Sequence, residues 1–300
     1  MKLAVTGSGG QLACSLRELA IAQGFELVFL ARPEFDLADQ AAIERSIALL
    51  EVDVLVNAAA YTAVDRAEQE INAAFEINAR GAERVALACA LHDIPLIHIS
   101  TDYVFDGSKS EPYVETDAVR PLNVYGRSKC DGEKRIAATW PNHVILRTAW
   151  VHSPFGTNFV KSILRLAGTR AEIAVVNDQQ GGPTYAPHLA KAISEVAARI
   201  ADCPQRAEYG IYHCTNLGEA SWYDLALATI KESRSFGGPG ALVRPIPSCD
   251  YPVAAARPQN SRLNTAKLAR NFDVELPDWR MGLRACVARL VSDKAMANRQ

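Results

Sequence analysis

Short apolar runs alternate with longer stretches of helical periodicity through the first half of the chain. Lys2-Leu3-Ala4-Val5-Thr6, Glu26-Leu27-Val28-Phe29-Leu30, Asp53-Val54-Leu55-Val56, Pro95-Leu96-Ile97-His98-Ile99 and His143-Val144-Ile145-Leu146 lack strict polar alternation and read as strands buried on both faces. Between them, apolar positions follow a helical period through Leu12, Leu16 and Leu19, from Asp39 to Leu50, and from about Asn72 to His92. This repetition predicts βαβ units in one parallel sheet with helices on both faces. Beyond Trp150 the rhythm loosens. Pro, Gly and Asn become frequent, as in Asp178-Gln179-Gln180-Gly181-Gly182-Pro183-Thr184, and helical patterns recur near 185–201, 221–235 and 280–293. The expected fold is α/β, with a doubly wound parallel sheet over residues 1–150 and a smaller α/β lobe over 151–300. A later segment is free to return to the first sheet.

Composition narrows the classes of protein that fit. Of 300 residues, 49% are hydrophobic and 22% charged, which excludes a disordered tail or a fibre. No apolar run approaches the ~18 residues that cross a bilayer, and the start, MKLAVTGSGG, does not read as a signal peptide. With 32 basic and 34 acidic residues the net charge is -2, so neither nucleic acid nor a membrane surface is an expected partner. Seven scattered cysteines, without C-x-x-C or H-E-x-x-H, predict no disulfide framework, no metal centre and a reducing, cytoplasmic compartment.

Candidate chemistry begins at the first turn. Gly7-Ser8-Gly9-Gly10-Gln11-Leu12-Ala13 follows the first strand and opens the first helix. Gly7 permits a tight turn. Gly10 has no Cβ, so a pyrophosphate can approach the amides of the helix N-terminus. A plain βα turn would use the same glycines; placement between strand and helix favours a Rossmann-type dinucleotide site. The second strand ends Leu30-Ala31-Arg32-Pro33, with a guanidinium at hand and no carboxylate. Arg can fork two donors onto a ribose 2′-phosphate, so NADPH is the expected cofactor, with NADH as the alternative.

Tyr125-Gly126-Arg127-Ser128-Lys129 places a phenol and an ammonium four apart, on one face of a helix. An ammonium held close would lower the phenol's pKa and let Tyr125 exchange a proton near neutral pH. Ser100-Thr101-Asp102-Tyr103 directly follows the fourth strand, on the rim where α/β sheets bind ligands. Thr101 could there donate to a carbonyl oxygen as charge builds on it, although a turn or helix cap would use the same residues.

Several segments together resemble the dTDP-4-dehydrorhamnose reductase family of extended short-chain dehydrogenase/reductases. They are Gly7-x-x-Gly10-Gln11-Leu12, Val56-Asn57-Ala58-Ala59-Ala60-Tyr61-Thr62-Ala63-Val64-Asp65, Ser100-Thr101-Asp102-Tyr103-Val104-Phe105-Asp106-Gly107, Pro121-Leu122-Asn123-Val124-Tyr125-Gly126-x-x-Lys129, Val176-Asn177-Asp178-Gln179, Arg257-Pro258-x-Asn260-Ser261-x-Leu263 and Leu276-Pro277-Asp278-Trp279. The resemblance covers nearly the whole chain. It implies reduction of the C4 ketone of a dTDP-4-dehydro-6-deoxy sugar by NAD(P)H, with Tyr125 as proton donor, Lys129 as its partner and Thr101 orienting the ketone. It also implies that Gly10, Gln11 and Leu12 cover the pyrophosphate, that Asp36 and Leu37 flank adenine, and that Ala60, Tyr61 and Thr62 line the cofactor. Thr101, Asp102 and Trp150 would face the sugar.

The chain departs from the family at Ala13, Tyr61 and Ser15. Ser15 stands where some members place a Glu tied to magnesium-dependent dimerisation, so magnesium and a homodimer stay open. A nucleotide-sugar carries a diphosphate, and Arg257 is the first candidate for that charge, with Arg262 second. Trp140, Trp222 and Trp279 read as packing residues, and neither His98 nor His152 is given any chemistry. Two rivals remain. A nucleotide-sugar dehydratase or epimerase of the same superfamily would, for dehydration, need an acid where Tyr103 stands; a non-catalytic NADP-binding subunit would not need Thr101, Tyr125 and Lys129 together.

Overall fold

The computed structural model describes residues 1–297. Its main sheet has six parallel strands. From one edge to the other they are Gly210–His213, β5 (His143–Thr148), β4 (Leu96–Thr101), β3 (Val54–Asn57), β1 (Lys2–Thr6) and β2 (Glu26–Leu30). The chain runs outward from β1 to β2, then returns to lay β3 on the other side of β1. This is the doubly wound arrangement, and the reversal opens a crevice beyond the carboxyl ends of β1 and β3.

Strand alternation explains why both faces are apolar. Leu3, Val5, Val54, Val56, Ile97, Val144 and Leu146 point to one face and meet Leu12 and Leu16 of helix α1 (Gln11–Gln23). Leu189, Ile193, Val196 and Ile200 of the helix Ala186–Asp202 cover the same face. The residues between them, Ala4, Leu55, Leu96 and Ile145, face Ile43 and Ile47 of helix α2 (Gln40–Ala48), Val85 and Cys89 of Ala82–Leu91, and Ile136 of Val124–Thr139. The chain therefore crosses back after Trp150: both the helix Ala186–Asp202 and the strand Gly210–His213 complete the first sheet.

The smaller lobe centres on parallel strands Glu172–Val176 and Leu242–Ile246. The helices Phe159–Ala167 and Trp222–Ser235 cover them through Ile163, Ala167, Ala226 and Ile230. Ser221 starts the second of these helices with a capping box to Asp224. All seven cysteines are free thiols. No helix among the described residues is long and apolar enough to cross a membrane.

The expected helix from Asn72 to His92 is interrupted. Ile71–Phe75 passes through a π-helical turn, Glu76–Gly81, before Ala82–Leu91. The extra residue turns Asn78 inward: its Oδ1 accepts from the Tyr61 amide at 2.8 Å, and its Nδ2 donates to the Tyr61 carbonyl and to Ser128 Oγ, both at 3.0 Å. Such bulges recur where a side chain must be aimed. Here it ties the loop after β3 to the helix that carries Tyr125.

Candidate active site

One cavity of about 1000 Å³ runs along the carboxyl ends of the strands, at the upper end of the ~300–1,000 Å³ that ligand pockets occupy. At one end its wall is the glycine turn. Gly7 has φ 80°, a conformation a side chain would strain, and Gly10 caps α1 with no side-chain bond to the first amides. Nothing lies within 4 Å of where a Cβ would stand at Gly9 or Gly10, so both backbones are open to a close ligand. Leu12 is buried beneath them. Arg32, Asp36 and Leu37 form the wall past β2; Asp36 Oδ1 accepts from the Ala38 amide at 2.9 Å. Ala60, Tyr61 and Thr62 line the middle of the cavity, and Tyr61 Oη donates to Glu70 Oε2 at 2.7 Å.

The opposite wall brings Thr101, Asp102, Tyr125, Lys129 and Trp150 together from three parts of the chain. Two glycines allow the helix Val124–Thr139 to approach. A Cβ at Gly126 would collide with the Tyr103 carbonyl, and one at Gly132 with the Asn78 carbonyl. Asn123 caps this helix by accepting from the Gly126 amide at 2.7 Å. Thr101 Oγ1 donates to Asp102 Oδ1 at 3.0 Å and accepts from the Tyr103 amide at 3.1 Å. Asp102 is buried, its Oδ2 has no partner, and burial raises its carboxyl to about 7.

The phenol and the amine behave differently from the sequence expectation. Lys129 Nζ donates to the Ile99 carbonyl at 2.6 Å and lies 3.1 Å from His98 Nε2. Burial lowers the amine to about 8, with Glu133 acting against the shift. Burial also pushes the Tyr125 phenol up to about 12, which the Thr101 hydroxyl partly offsets. Desolvation outweighs any help from the ammonium, so Tyr125 is a fully protonated phenol at neutral pH. That is the state from which a proton can be given.

Two further departures concern single residues. Arg257 does not line the cavity. Its Nη2 donates to Asp65 Oδ2 at 2.8 Å, and Asp65 Oδ1 also accepts from the Ala255 amide at 3.1 Å. A nearby carboxylate takes the charge expected to meet a diphosphate, and the guanidinium lies over the Tyr103 ring at 5.9 Å. Arg262 likewise pairs with Glu219 at 2.6 Å. Gln11 lines the cavity next to the glycine turn, and its side chain is held by the segment after Trp150. It donates to the Val151 carbonyl at 3.3 Å and accepts from Ser153 and Asn158 at 2.8 and 2.9 Å, stapling the turn to the segment after Trp150.

Sequence reasoning missed Trp222. Its ring stacks on Trp150, centroids 3.5 Å apart and planes at 6°, and both line the cavity. Trp150 has φ 47°, unusual for so large a side chain, and a Cβ at Gly181 would strike its indole. The run of Gly181 and Gly182 signalled a close approach in this region, but nothing in the sequence paired the two tryptophans. Asn78 was likewise invisible, because only the π-helical turn directs it to Tyr61.

A parallel sheet with a glycine turn at its switch point, and a Tyr-Lys helix facing it across one cavity, defines a Rossmann-type dinucleotide-binding protein of the short-chain dehydrogenase/reductase class. Comparison with known proteins narrows this. The family described as "RmlD substrate binding domain" matches residues 1–292, and the chain belongs to that family. It is 44% identical to the dTDP-4-dehydrorhamnose reductase of Sinorhizobium fredii, over 97% of this chain and 98% of that protein. It is 39% identical to the Escherichia coli K12 enzyme of the same name, over 99% of this chain and 100% of that protein. A dTDP-4-dehydrorhamnose reductase structure from Clostridium acetobutylicum superposes with TM-score 0.88 at 32% identity, covering 97% of this chain and 99% of that one. The Bacillus anthracis enzyme, solved in complex with NADP, gives 0.87 at 33% identity, covering 96% of this chain and 99% of that one. A Thermus thermophilus UDP-glucose 4-epimerase, at 20% identity and TM-score 0.78 over 97% of this chain and 99% of that one, shares the fold.

Proposed function

We propose that this protein reduces the C4 ketone of dTDP-4-dehydro-6-deoxy-L-mannose to dTDP-L-rhamnose, using NADPH. The observation that carries the reading is the meeting of Thr101, Tyr125 and Lys129 on the wall of the cavity whose far wall is the Gly7–Gly10 turn.

The residues present fit a dinucleotide. The bare backbone at Gly9 and Gly10 and the uncapped first turn of α1 suit a pyrophosphate, and Arg32 suits a 2′-phosphate, which is why NADPH is preferred here over NADH. When bound, the cofactor supplies a hydride to the carbonyl carbon. Tyr125 holds the proton for the carbonyl oxygen, and its high pKa keeps that proton in place until an alkoxide develops. Thr101 turns its hydroxyl from Asp102 to the same oxygen. Asp102, with one bare oxygen, takes a sugar hydroxyl. Trp150 and Trp222 form an apolar plate on which a sugar face rests.

Tyr103, which stands where a dehydratase would need an acid, packs edge-on against Tyr125, with centroids 6.2 Å apart. The reading also includes a cytoplasmic location, in keeping with seven free thiols, and a substrate taken as the dTDP-sugar. A possible homodimer and a magnesium requirement stay open; Ser15 Oγ donates to the Gln11 carbonyl of its own helix at 2.8 Å.

The test is direct. Purified protein is mixed with NADPH and dTDP-4-dehydro-6-deoxy-L-mannose, absorbance of the reduced cofactor is followed, and the product's C4 configuration is read by NMR. Stoichiometric oxidation with formation of dTDP-L-rhamnose is expected. No oxidation, or turnover of dTDP-glucose without added reductant, would overturn the reading.

A further inference from the structure

The backbone and the side chain of Gln11 face different parts of the molecule. The residue opens α1 directly after Gly10, so its amide belongs to the first turn, which no side chain caps. Its side chain is committed elsewhere. Nε2 donates to the Val151 carbonyl, and Oε1 accepts from Ser153 Oγ and Asn158 Nδ2. The surroundings fix which way the amide points. Asn158 Oδ1 accepts from the Lys161 amide at 3.1 Å as the cap of the helix Phe159–Ala167, so its Nδ2 is the atom that meets Gln11. A carbonyl at Val151 can only accept, so it takes Nε2. With two donors on it, Gln11 Oε1 has no lone pair left for a ligand.

The three bonds grip the chain on both sides of the tryptophan stack. Val151 directly follows Trp150. Asn158 directly precedes Phe159, whose ring packs on Trp222 with centroids 4.7 Å apart, and Trp222 lies on Trp150. Between the grips, Gly156 has φ 57°, and a Cβ there would stand 3.4 Å from Gln11 Cγ. The loop therefore lies directly on the Gln11 side chain, and Gly156 and Thr157 line the cavity beside it. Phe155 in the same loop lies under Arg289, 4.8 Å from its ring centre, and Arg289 pairs with Glu18 of α1 at 2.7 Å. The helix that begins at the glycine turn thus holds this loop at two points.

We propose that Gln11 is a positioning residue for the sugar: its side chain fixes the Trp150–Trp222 plate relative to the glycine turn. It thereby sets the distance between a ketone resting on the plate and a dinucleotide lying on the turn. The inference rests on the reductase reading above. Trp150 sits at φ 47°, which its surroundings must impose, and the bond to Val151 pins the next residue. Hydride transfer needs its two carbons within roughly 3–3.5 Å, and a misplacement of about 1 Å can cost ~100-fold. Plain glue between the two segments would act otherwise. It would change stability and leave both the stack and the sugar kinetics untouched.

Two variants of the full chain separate these roles. Gln11→Met keeps the length of the side chain and removes all three bonds. Asn158→Ser keeps a helix cap and removes a donor to Gln11, and it serves should the first not fold. Far-UV circular dichroism reads the exciton couplet of the stacked tryptophans, with Trp222→Phe as the reference for its loss. Initial rates at saturating NADPH give kcat/KM for dTDP-4-dehydro-6-deoxy-L-mannose, and fluorescence titration gives NADPH affinity. The couplet should fall towards the Trp222→Phe level, and kcat/KM for the sugar should fall roughly 10–100-fold. NADPH affinity should stay within about 3-fold, because the backbone amides at the helix start are unchanged. An unchanged couplet or an unchanged kcat/KM in a folded variant overturns the proposal. So does a loss of NADPH affinity as large as the loss in kcat/KM, which would put the side chain in the cofactor site. Failure of the wild type to reduce the sugar would instead remove the reductase reading, and the couplet would still decide whether Gln11 holds the plate.

Discussion

Beneath Lys129 lies a buried ion pair whose disruption can be worked out in advance. Glu133 Oε1 and Oε2 accept from Arg147 Nε and Nη2 at 3.0 and 2.7 Å, and Oε1 also accepts from Ser100 Oγ at 2.5 Å. Both charged side chains are 3% exposed. The pair joins the helix bearing Tyr125 and Lys129 to β5, with Ser100 of β4 as its third member. Arg147→Met fills much of the same volume but leaves a carboxylate in a dry interior with one hydroxyl for company. Removing one partner of a buried pair costs roughly 3–5 kcal/mol, most of it the penalty for the stranded charge. For a chain of this size that corresponds to a melting temperature lower by roughly 6–20 °C. Thermal unfolding followed by circular dichroism measures it. The reasoning makes a second demand. Arg147→Met with Glu133→Gln removes the stranded charge while keeping an acceptor for Ser100, so it should recover at least half of the loss. A single variant that loses less than about 1 kcal/mol, or a double variant no more stable than the single, would show that charge burial is not what holds this helix.

Four further outcomes follow from the site. Tyr125→Phe should lower kcat by roughly 10²–10⁴-fold while NADPH affinity, read by fluorescence titration, stays within a few-fold; retained turnover would exclude the phenol as proton donor. Arg32→Ala should weaken NADPH by roughly 10–100-fold with little effect on NADH, since it removes charge-assisted bonds to a phosphate only one cofactor carries; the ratio of kcat/KM values decides it. Asp102 is raised in the folded state to about 7, so its contribution is fully present below its unfolded value and lost as pH rises through about 7. Relative to wild type, Asp102→Asn should therefore gain melting temperature steadily from pH 4 to pH 8, and a constant difference would contradict the assignment. Gly132→Ala drives a methyl into the Asn78 carbonyl, so it should lower both stability and kcat, whereas Gly9→Ala, with open space around it, should leave stability unchanged; parallel melts and assays compare them.

How far each of these features could be read from the linear chain depends on the range of the interactions that create it. The five leading strands, the turn at Gly7–Gly10 and the Tyr125/Lys129 spacing were legible because each rests on neighbours within one element: apolar residues that suit a buried strand, a glycine able to adopt φ 80°, two side chains a helical turn apart. The return of Gly210–His213 to the sheet edge, the stack of Trp150 on Trp222 and the diversion of Arg257 to Asp65 were not, because each joins segments far apart in sequence and is chosen by which partner packing brings nearest. The same holds for protonation. Composition named a phenol and an amine; burial set them at about 12 and about 8, since the cost of a charge depends on the volume of protein around it and not on the order of residues along the chain.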